Sequence, residues 1–142
     1  MKILTHLLLA VVISSCAYAK ADTDDPSTAM YSLFVTMHVQ PEHTETVYQA
    51  TMDIAKASVN EPGCYRYDVL RDPDNPTTFY IFEVFRDRES HQAHTKTAHF
   101  TEWVNTAAHL LDGDMSIVVM ATAFPSPAGY KAQKSGLRYW QQ

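Results

Sequence analysis

The chain has 142 residues, 46% of them hydrophobic, with a formal net charge of −5 and a pI near 5.7. This length predicts one domain. The acidic balance argues against a nucleic-acid partner, because a phosphate-binding surface needs a basic face to displace counterions. The sequence also lacks a glycine-rich phosphate-binding loop.

The first 19 residues have the pattern of a secretory signal peptide. A short positive region at Met1-Lys2 precedes the apolar run Ile3–Ile13, which is too short to span a membrane as a helix. Cleavage after Ala17-Tyr18-Ala19 would give a soluble product, whereas Ile13–Cys16 resembles a lipobox that would lipidate Cys16. Both outcomes predict an exported protein, periplasmic or secreted, with membrane contact only if Cys16 carries the lipid.

Residues 20–29 are polar and aperiodic, so they are interpreted as a tether to a domain spanning residues 30–124. Met30–Val39 alternates apolar and polar side chains and predicts a strand. Pro41 favours the start of a helix, whose apolar residues recur at three- and four-residue spacing until Glu61-Pro62-Gly63 ends it.

A β-hairpin follows, because Cys64–Arg71 and Thr78–Arg86 are rich in aromatic and β-branched residues around the turn-forming residues 72–76. A second helical region is predicted over Arg88–Leu111, broken near Thr97-Ala98, and a last strand over Met115–Phe124. The order β-α-β-β-α-β is typical of an α+β, ferredoxin-like sandwich with helices on one side of an antiparallel sheet.

Both faces of the predicted sheet are apolar. Helices on one side would leave the other face in water, so a homodimer packed sheet against sheet is expected. Because Cys16 is expected to be either removed or lipidated, no disulfide within the chain is expected for Cys64, which favours a buried filler or a bond between subunits. Residues 125–142 form a tail that is expected to be poorly ordered; its basic and aromatic residues alternatively suggest contact with a membrane or a second subunit.

Four motifs in the run Glu61–Val104 carry a family resemblance: Glu-Pro-Gly-Cys at 61–64, Arg-Tyr-Asp-Val-Leu at 66–70, Asp-Pro-x-x-Pro at 72–76 and Thr-x-His-Phe at 97–100. The run closely resembles the antibiotic biosynthesis monooxygenase domain family. The resemblance implies a dimeric α/β barrel with a pocket between each sheet and its helices. Family members include cofactor-free quinol monooxygenases, haem-degrading oxygenases and an isomerase of phosphorylated autoinducer-2.

Glu83 and His99 are the predicted catalytic residues. Glu83 lies in mid-strand among apolar residues, where a raised pKa is expected if the carboxylate lacks a partner. Its alternative role is an ion pair with Arg66 or Arg71 across the hairpin. The resemblance implies that His99 lies at the pocket edge as a general acid or base, although Ala98 stands where many relatives have proline. The alternative for His99 is a structural hydrogen bond.

The other predicted pocket residues are His94, His38, Phe34, Tyr67 and Trp103, the last two as apolar walls. His91, His94 and His99 suggest a metal site, but the sequence has no His-Glu-x-x-His motif, and no metal is expected. No organic cofactor is expected either.

Three functions are consistent with these residues. The first is a cofactor-independent monooxygenase of a small quinol or polyphenol, in which a deprotonated substrate itself reduces oxygen. The second is an isomerase or tautomerase of a small hydroxy-ketone, although export argues against an intracellular phosphorylated substrate. The third is a non-catalytic protein that binds a small molecule or haem. Haem degradation is disfavoured because the first strand offers Ser32, Phe34 or Thr36 where the haem-degrading relatives have asparagine.

Overall fold

The computed structural model describes residues 29–136, with side chains as far as Lys131. The predicted signal peptide, Cys16, most of the tether and residues 137–142 lie outside this part of the chain. The described elements are β1 (Tyr31–His38), a 3-10 turn (Pro41–His43), α1 (Thr44–Ser58), β2 (Cys64–Arg71), β3 (Thr78–Phe85), α2 (Arg88–His94), α3 (Ala98–Ala107), a second 3-10 turn (Ala108–Leu110), β4 (Ser116–Ala121) and α4 (Pro127–Gly136).

The four strands form one antiparallel sheet in the order β2-β3-β1-β4. This order and the β-α-β-β-α-β succession up to β4 confirm the predicted α+β, ferredoxin-like fold. The β2–β3 turn is fixed by Asp72, whose Oδ1 accepts backbone hydrogen bonds from Asp74 and Asn75, each at 2.9 Å.

The register divides the sheet into two faces. The helix face carries Leu33, Val35 and Met37 of β1, with Ile81 and Glu83 of β3 opposite Val35 and Leu33. Against it pack α1, through Val47, Thr51 and Ile54, and α3, through Trp103. The Trp103 indole N–H donates to the Thr51 hydroxyl at 3.1 Å, which joins the two helices over the sheet. The main core therefore lies between this face and the helices.

The predicted break in the second helical region is present between α2 and α3. Asp87 caps α2 by accepting a hydrogen bond from the Ser90 backbone N–H at 2.7 Å, and Thr97 caps α3 by accepting one from Phe100 at 3.2 Å. The Thr97 hydroxyl also donates to the His94 carbonyl oxygen at 2.7 Å. The three-residue break is thus a fixed turn that orients α3 relative to α2.

The expectation of a poorly ordered tail is wrong for residues 127–136, which form α4. Tyr130 of α4 is buried and stacks on Tyr65 with ring centroids 6.3 Å apart, next to Met30 and Val84. These residues lie on the outer face of the sheet, opposite the helix face. The premise that helices cover only one face therefore also needs correction, because α4 covers one corner of the other.

Strand β4 stays exposed over its whole length. Its side chains from Ile117 to Met120 are between 37% and 54% exposed, although all four are apolar. It pairs with β1 on one side, and no other strand of residues 29–136 pairs with its other edge. No helix among these residues combines the length and apolar character needed to cross a membrane.

Candidate functional site

A pocket of about 200 Å³ lies between the helix face of the sheet and the helices. Its walls are mainly apolar, and no lysine or arginine of the described residues lines it. The side chains lining it are Leu33, Val35, Met37, Thr51, Ile54, Tyr67, Ile81, Glu83, His91, His94, Thr95, Phe100, Trp103, Met115 and Ile117. Met115 and Ile117 are exposed, so the pocket opens towards β4.

Glu83 is the acidic group of this pocket and is only 7% exposed. Burial raises the pKa of Glu83 to about 7, against a hydrogen bond from Tyr67, which lowers it. Tyr67 lies directly opposite Glu83 in the β2–β3 ladder. Burial, and then the charge of Glu83, hold the pKa of the Tyr67 hydroxyl well above its usual value, so this hydroxyl stays protonated. A carboxyl with this pKa can both accept and return a proton near neutral pH.

The two arginines considered as partners of Glu83 are engaged elsewhere. Arg66 forms an ion pair with Asp68 at 2.6 Å, and the Arg71 side chain donates to the Pro76 carbonyl oxygen at 2.7 Å. In the sheet register they lie opposite Val84 and Phe79 rather than opposite Glu83. The ion-pair alternative for Glu83 is therefore wrong.

His94 and His99 both contact the carboxylate of Glu61, which was not among the predicted site residues. His94 Nδ1 lies 2.8 Å and His99 Nε2 lies 2.6 Å from the same oxygen, Oε1 of Glu61. The side chain of His94 is 1% exposed and that of His99 is 26% exposed. Burial lowers the pKa of His94, although Glu61 counteracts this. His94 lines the pocket, whereas His99 lies in a neighbouring groove beside Glu102 and Trp103.

Three rigid segments hold this Glu61–His94–His99 cluster together. The Glu61 backbone is fixed in a turn by its N–H to the Ser58 carbonyl at 2.9 Å and by its carbonyl to the Cys64 N–H at 3.2 Å. His94 ends α2, and His99 lies in the first turn of α3 after the Thr97 cap. Phe85, fully buried on β3, places its ring 5.2 Å from that of His94.

Gly63 allows α2 to approach this turn. A Cβ at Gly63 would lie 2.4 Å from the Ser90 Cβ, closer than van der Waals contact permits.

We expect Gly63→Ala to cost about 1–3 kcal/mol by overpacking, measured as the free energy of unfolding in urea. In the Ser90→Gly background, which removes the clashing side chain, the same Gly63→Ala change should lower the free energy of unfolding by less than it does in the wild type. A cost that is equal in both backgrounds would contradict the proposed clash.

Two predicted pocket residues lie on the wrong side of the sheet. Phe34 and His38 alternate with Leu33, Val35 and Met37, so they belong to the outer face. Phe34 stacks on Tyr80 at 5.7 Å, and exposed His38 bonds through Nδ1 to the Thr78 hydroxyl at 3.0 Å. The period of two along a strand separates them from the pocket. Tyr67, His94 and Trp103 do line it.

Comparisons with known proteins agree with this architecture. The family model described as antibiotic biosynthesis monooxygenase matches residues 30–106. Isomerases of (4S)-4-hydroxy-5-phosphonooxypentane-2,3-dione are similar: that of Salmonella paratyphi B is 30% identical over 68% of this chain and 100% of its own length. That of Yersinia enterocolitica is 33% identical over 59% and 88%, respectively. A solved structure from Nitrosomonas europaea, described as a candidate antibiotic biosynthesis monooxygenase, superposes with a TM-score of 0.67 at 31% identity, covering 70% of this chain and 95% of its own.

Proposed function

Because the chain belongs to the antibiotic biosynthesis monooxygenase family, we propose that it is an enzyme that moves a proton within a small, uncharged hydroxy-ketone. The observation that carries this proposal is the buried Glu83 carboxyl with a pKa of about 7 in a mainly apolar pocket. The isomerase names of the relatives support the same reaction type.

In the proposed reaction, Glu83 acts as the general base. Its carboxylate takes the proton from a carbon next to a carbonyl group, the C–H bond breaks, and the electron pair moves to the carbonyl oxygen to give an enolate. The Tyr67 hydroxyl holds the carboxylate in place from the opposite strand. The proton of the neighbouring hydroxyl then passes to the enolate oxygen, which moves the negative charge to the second oxygen. The protonated Glu83 returns its proton to the former carbonyl carbon as the second oxygen becomes the carbonyl, which completes the isomerisation without net change in redox state.

The substrate of the named relatives carries a phosphate, but the pocket of this chain suits a neutral one. A buried phosphate is stabilised by cationic side chains. No lysine or arginine of the described residues lines the pocket, and burial lowers the pKa of its two imidazoles, His91 and His94. We therefore propose an unphosphorylated substrate.

A second candidate is oxygenation of a small quinol or polyphenol. The aromatic walls Tyr67, Phe100 and Trp103 favour a flat substrate, and the similar structure from Nitrosomonas europaea has a monooxygenase description. Glu83 would remove the phenolic proton, and the resulting anion would reduce O2: one oxygen atom would enter the ring, the other would leave as water, and the quinol would become a hydroxyquinone. Both candidates use Glu83 as the base of the first proton transfer, and they differ in the proton removed and in whether oxygen is consumed.

One experiment separates these candidates. The purified protein is incubated with a panel of neutral hydroxy-ketones and quinols in D2O, while NMR follows deuterium entry into the substrate and an electrode follows oxygen. Deuterium exchange of a hydroxy-ketone without oxygen uptake supports the isomerase, and oxygen uptake with a quinol supports the monooxygenase. If no compound gives either deuterium exchange or oxygen uptake, both proposed activities are contradicted, and a binding protein without catalysis is favoured.

We also propose a homodimer that covers the apolar outer face. Val118 of β4 lies opposite Phe34 in the register and is 52% exposed, so a second copy packed on this face would remove it from water. We expect a dimer at micromolar concentration in sedimentation experiments, and a monomer for Val118→Lys. Val104→Lys, at an exposed apolar residue of α3, should remain dimeric. A monomeric wild type would contradict the proposal.

Export also remains a proposal, supported by the pattern of residues 1–19. Sequencing the amino terminus of the mature protein would distinguish a start at Lys20 from a lipidated start at Cys16. An uncleaved Met1 would contradict both.

A further inference from the structure

Apart from the proposed proton transfer, we propose that Glu61, His94 and His99 bind one divalent transition-metal ion, with Zn²⁺ as the reference ion. The ligand atoms are Oε1 of Glu61, Nδ1 of His94 and Nε2 of His99, which all lie within 4.8 Å of one another. This differs from the grouping that the sequence suggested, because Glu61 takes the place of His91.

The donor set decides the class of ion. Two imidazole nitrogens and one carboxylate oxygen suit Zn²⁺ and its first-row neighbours, whereas Ca²⁺ and Mg²⁺ prefer sites made of oxygen atoms alone. Three protein ligands leave a fourth position for water or a substrate oxygen, the arrangement of catalytic rather than structural zinc sites. The cluster therefore fits an open site for a transition metal.

Side-chain movements of up to about 1.4 Å separate the cluster from a metal-binding geometry, because its ligand atoms lie within 4.8 Å of one another and a tetrahedral ion holds them closer. Ligands at about 2.0–2.1 Å from a tetrahedral ion are roughly 3.4 Å apart. The two nitrogens lie 2.8 and 2.6 Å from the Glu61 oxygen, so each N···O separation must widen by less than about 1 Å. Each imidazole must present its lone pair to the ion and carry its proton on the other ring nitrogen.

The surroundings provide both a rigid frame and an entry path. His94 is buried at the end of α2, while the side chains of Glu61 and His99 are 15% and 26% exposed, so an ion can enter from the His99 side. The His94 ring also lines the pocket that contains Glu83. An ion bound here would thus lie in the wall between the solvent and that pocket.

The test measures metal binding directly and needs no substrate. Tag-free, chelator-treated protein is titrated with Zn²⁺ by calorimetry and with Co²⁺ by visible absorption, since four-coordinate Co²⁺ absorbs more strongly than the aqueous ion. We expect one ion per chain and a strong Co²⁺ spectrum. Replacing a residue that only orients a metal ligand weakens binding by up to about 100-fold. Loss of a ligand itself should cost at least as much, so Glu61→Gln and His99→Ala should each weaken Zn²⁺ binding by at least about 100-fold.

Exposed His109 provides the matched control, and His109→Ala should bind like the wild type. Thermal unfolding of each variant without metal checks that it is folded. If His99→Ala is not, Glu61→Gln still tests the site, because glutamine keeps the size of the side chain and a hydrogen-bonding oxygen. No stoichiometric binding by the wild type, or unchanged binding in both ligand variants, would overturn the proposal. Because these measurements do not involve Glu83 or turnover, their failure leaves the proposed proton transfer standing, and the reverse also holds.

Discussion

Replacing Glu83 by glutamine is expected to lower kcat/KM by about 10²–10⁴-fold, the usual contribution of a general base. The amide has nearly the same size and still accepts a hydrogen bond from Tyr67, but it cannot take up a proton. In the wild type, kcat/KM should rise with pH and reach half of its plateau near pH 7, where Glu83 ionises. The measurement is the pH profile of the reaction found in the deuterium-exchange panel.

The same substitution should stabilise the fold at high pH. Because the folded pKa of about 7 lies above the reference value of 4.5, the protonated carboxyl is favoured by folding. Its contribution to the free energy of unfolding is fully present below about pH 4.5 and is lost as the pH rises through 7. At about 1.36 kcal/mol per pKa unit the loss is on the order of 3 kcal/mol. Glu83→Gln should therefore match the wild type near pH 4.5 and exceed it by up to roughly this amount at pH 8.

Glu42→Gln is the control for both readouts, because Glu42 is an exposed carboxylate in the first 3-10 turn. It should leave the pH profile and the stability curve unchanged. If Glu83→Gln loses activity but is no more stable than the wild type at pH 8, then folding does not disfavour the ionised Glu83 carboxylate, and its pKa is not raised. Full activity of Glu83→Gln would remove it as the base.

The fold was predictable because its signals are local. The alternation in β1, the aromatic strands of the hairpin and the stop at Glu61-Pro62-Gly63 each specify an element within a few residues. α4 escaped prediction because its only described anchor is one residue, Tyr130, which packs on Tyr65 from the far side of the sheet. The other described side chains of this helix, at residues 127–129 and 131, are exposed or half-buried, so little apolar signal marked it as part of the domain.

The site was predictable in part, for a geometric reason. Alternate residues of a strand face opposite sides of the sheet, and this rule places Glu83 and Tyr67 on the helix face. The same rule should have excluded Phe34 and His38 from the pocket. Glu61 was not predicted as a site residue because it was interpreted as part of a helix stop and of a fold motif, not as a group that contacts histidines. Its role depends on the close approach of Ser90 to Gly63, which brings the turn beside α2. The Glu-Pro-Gly motif was a signal for it, but only the folded chain shows which histidines it meets.

The two acidic groups of the candidate site, Glu83 and Glu61, lie in different surroundings. Glu83 is enclosed by apolar side chains and holds its proton up to about pH 7, whereas Glu61 accepts contacts from two imidazoles at the rim. His94 links them, since it contacts Glu61 and lines the pocket of Glu83. The packing that positions His94 therefore affects both proposed activities.

Phe85→Ala is expected to be the most destabilising core change near the site, by about 3–5 kcal/mol. Phe85 is fully buried on β3, and its ring lies 5.2 Å from the rings of both His91 and His94. Alanine would leave a cavity under α2 and release the His94 ring. Phe85→Leu keeps most of the volume and should cost less than about 1.5 kcal/mol. Urea unfolding of both variants measures these costs, and similar values for the two would show that the ring is not what supports α2.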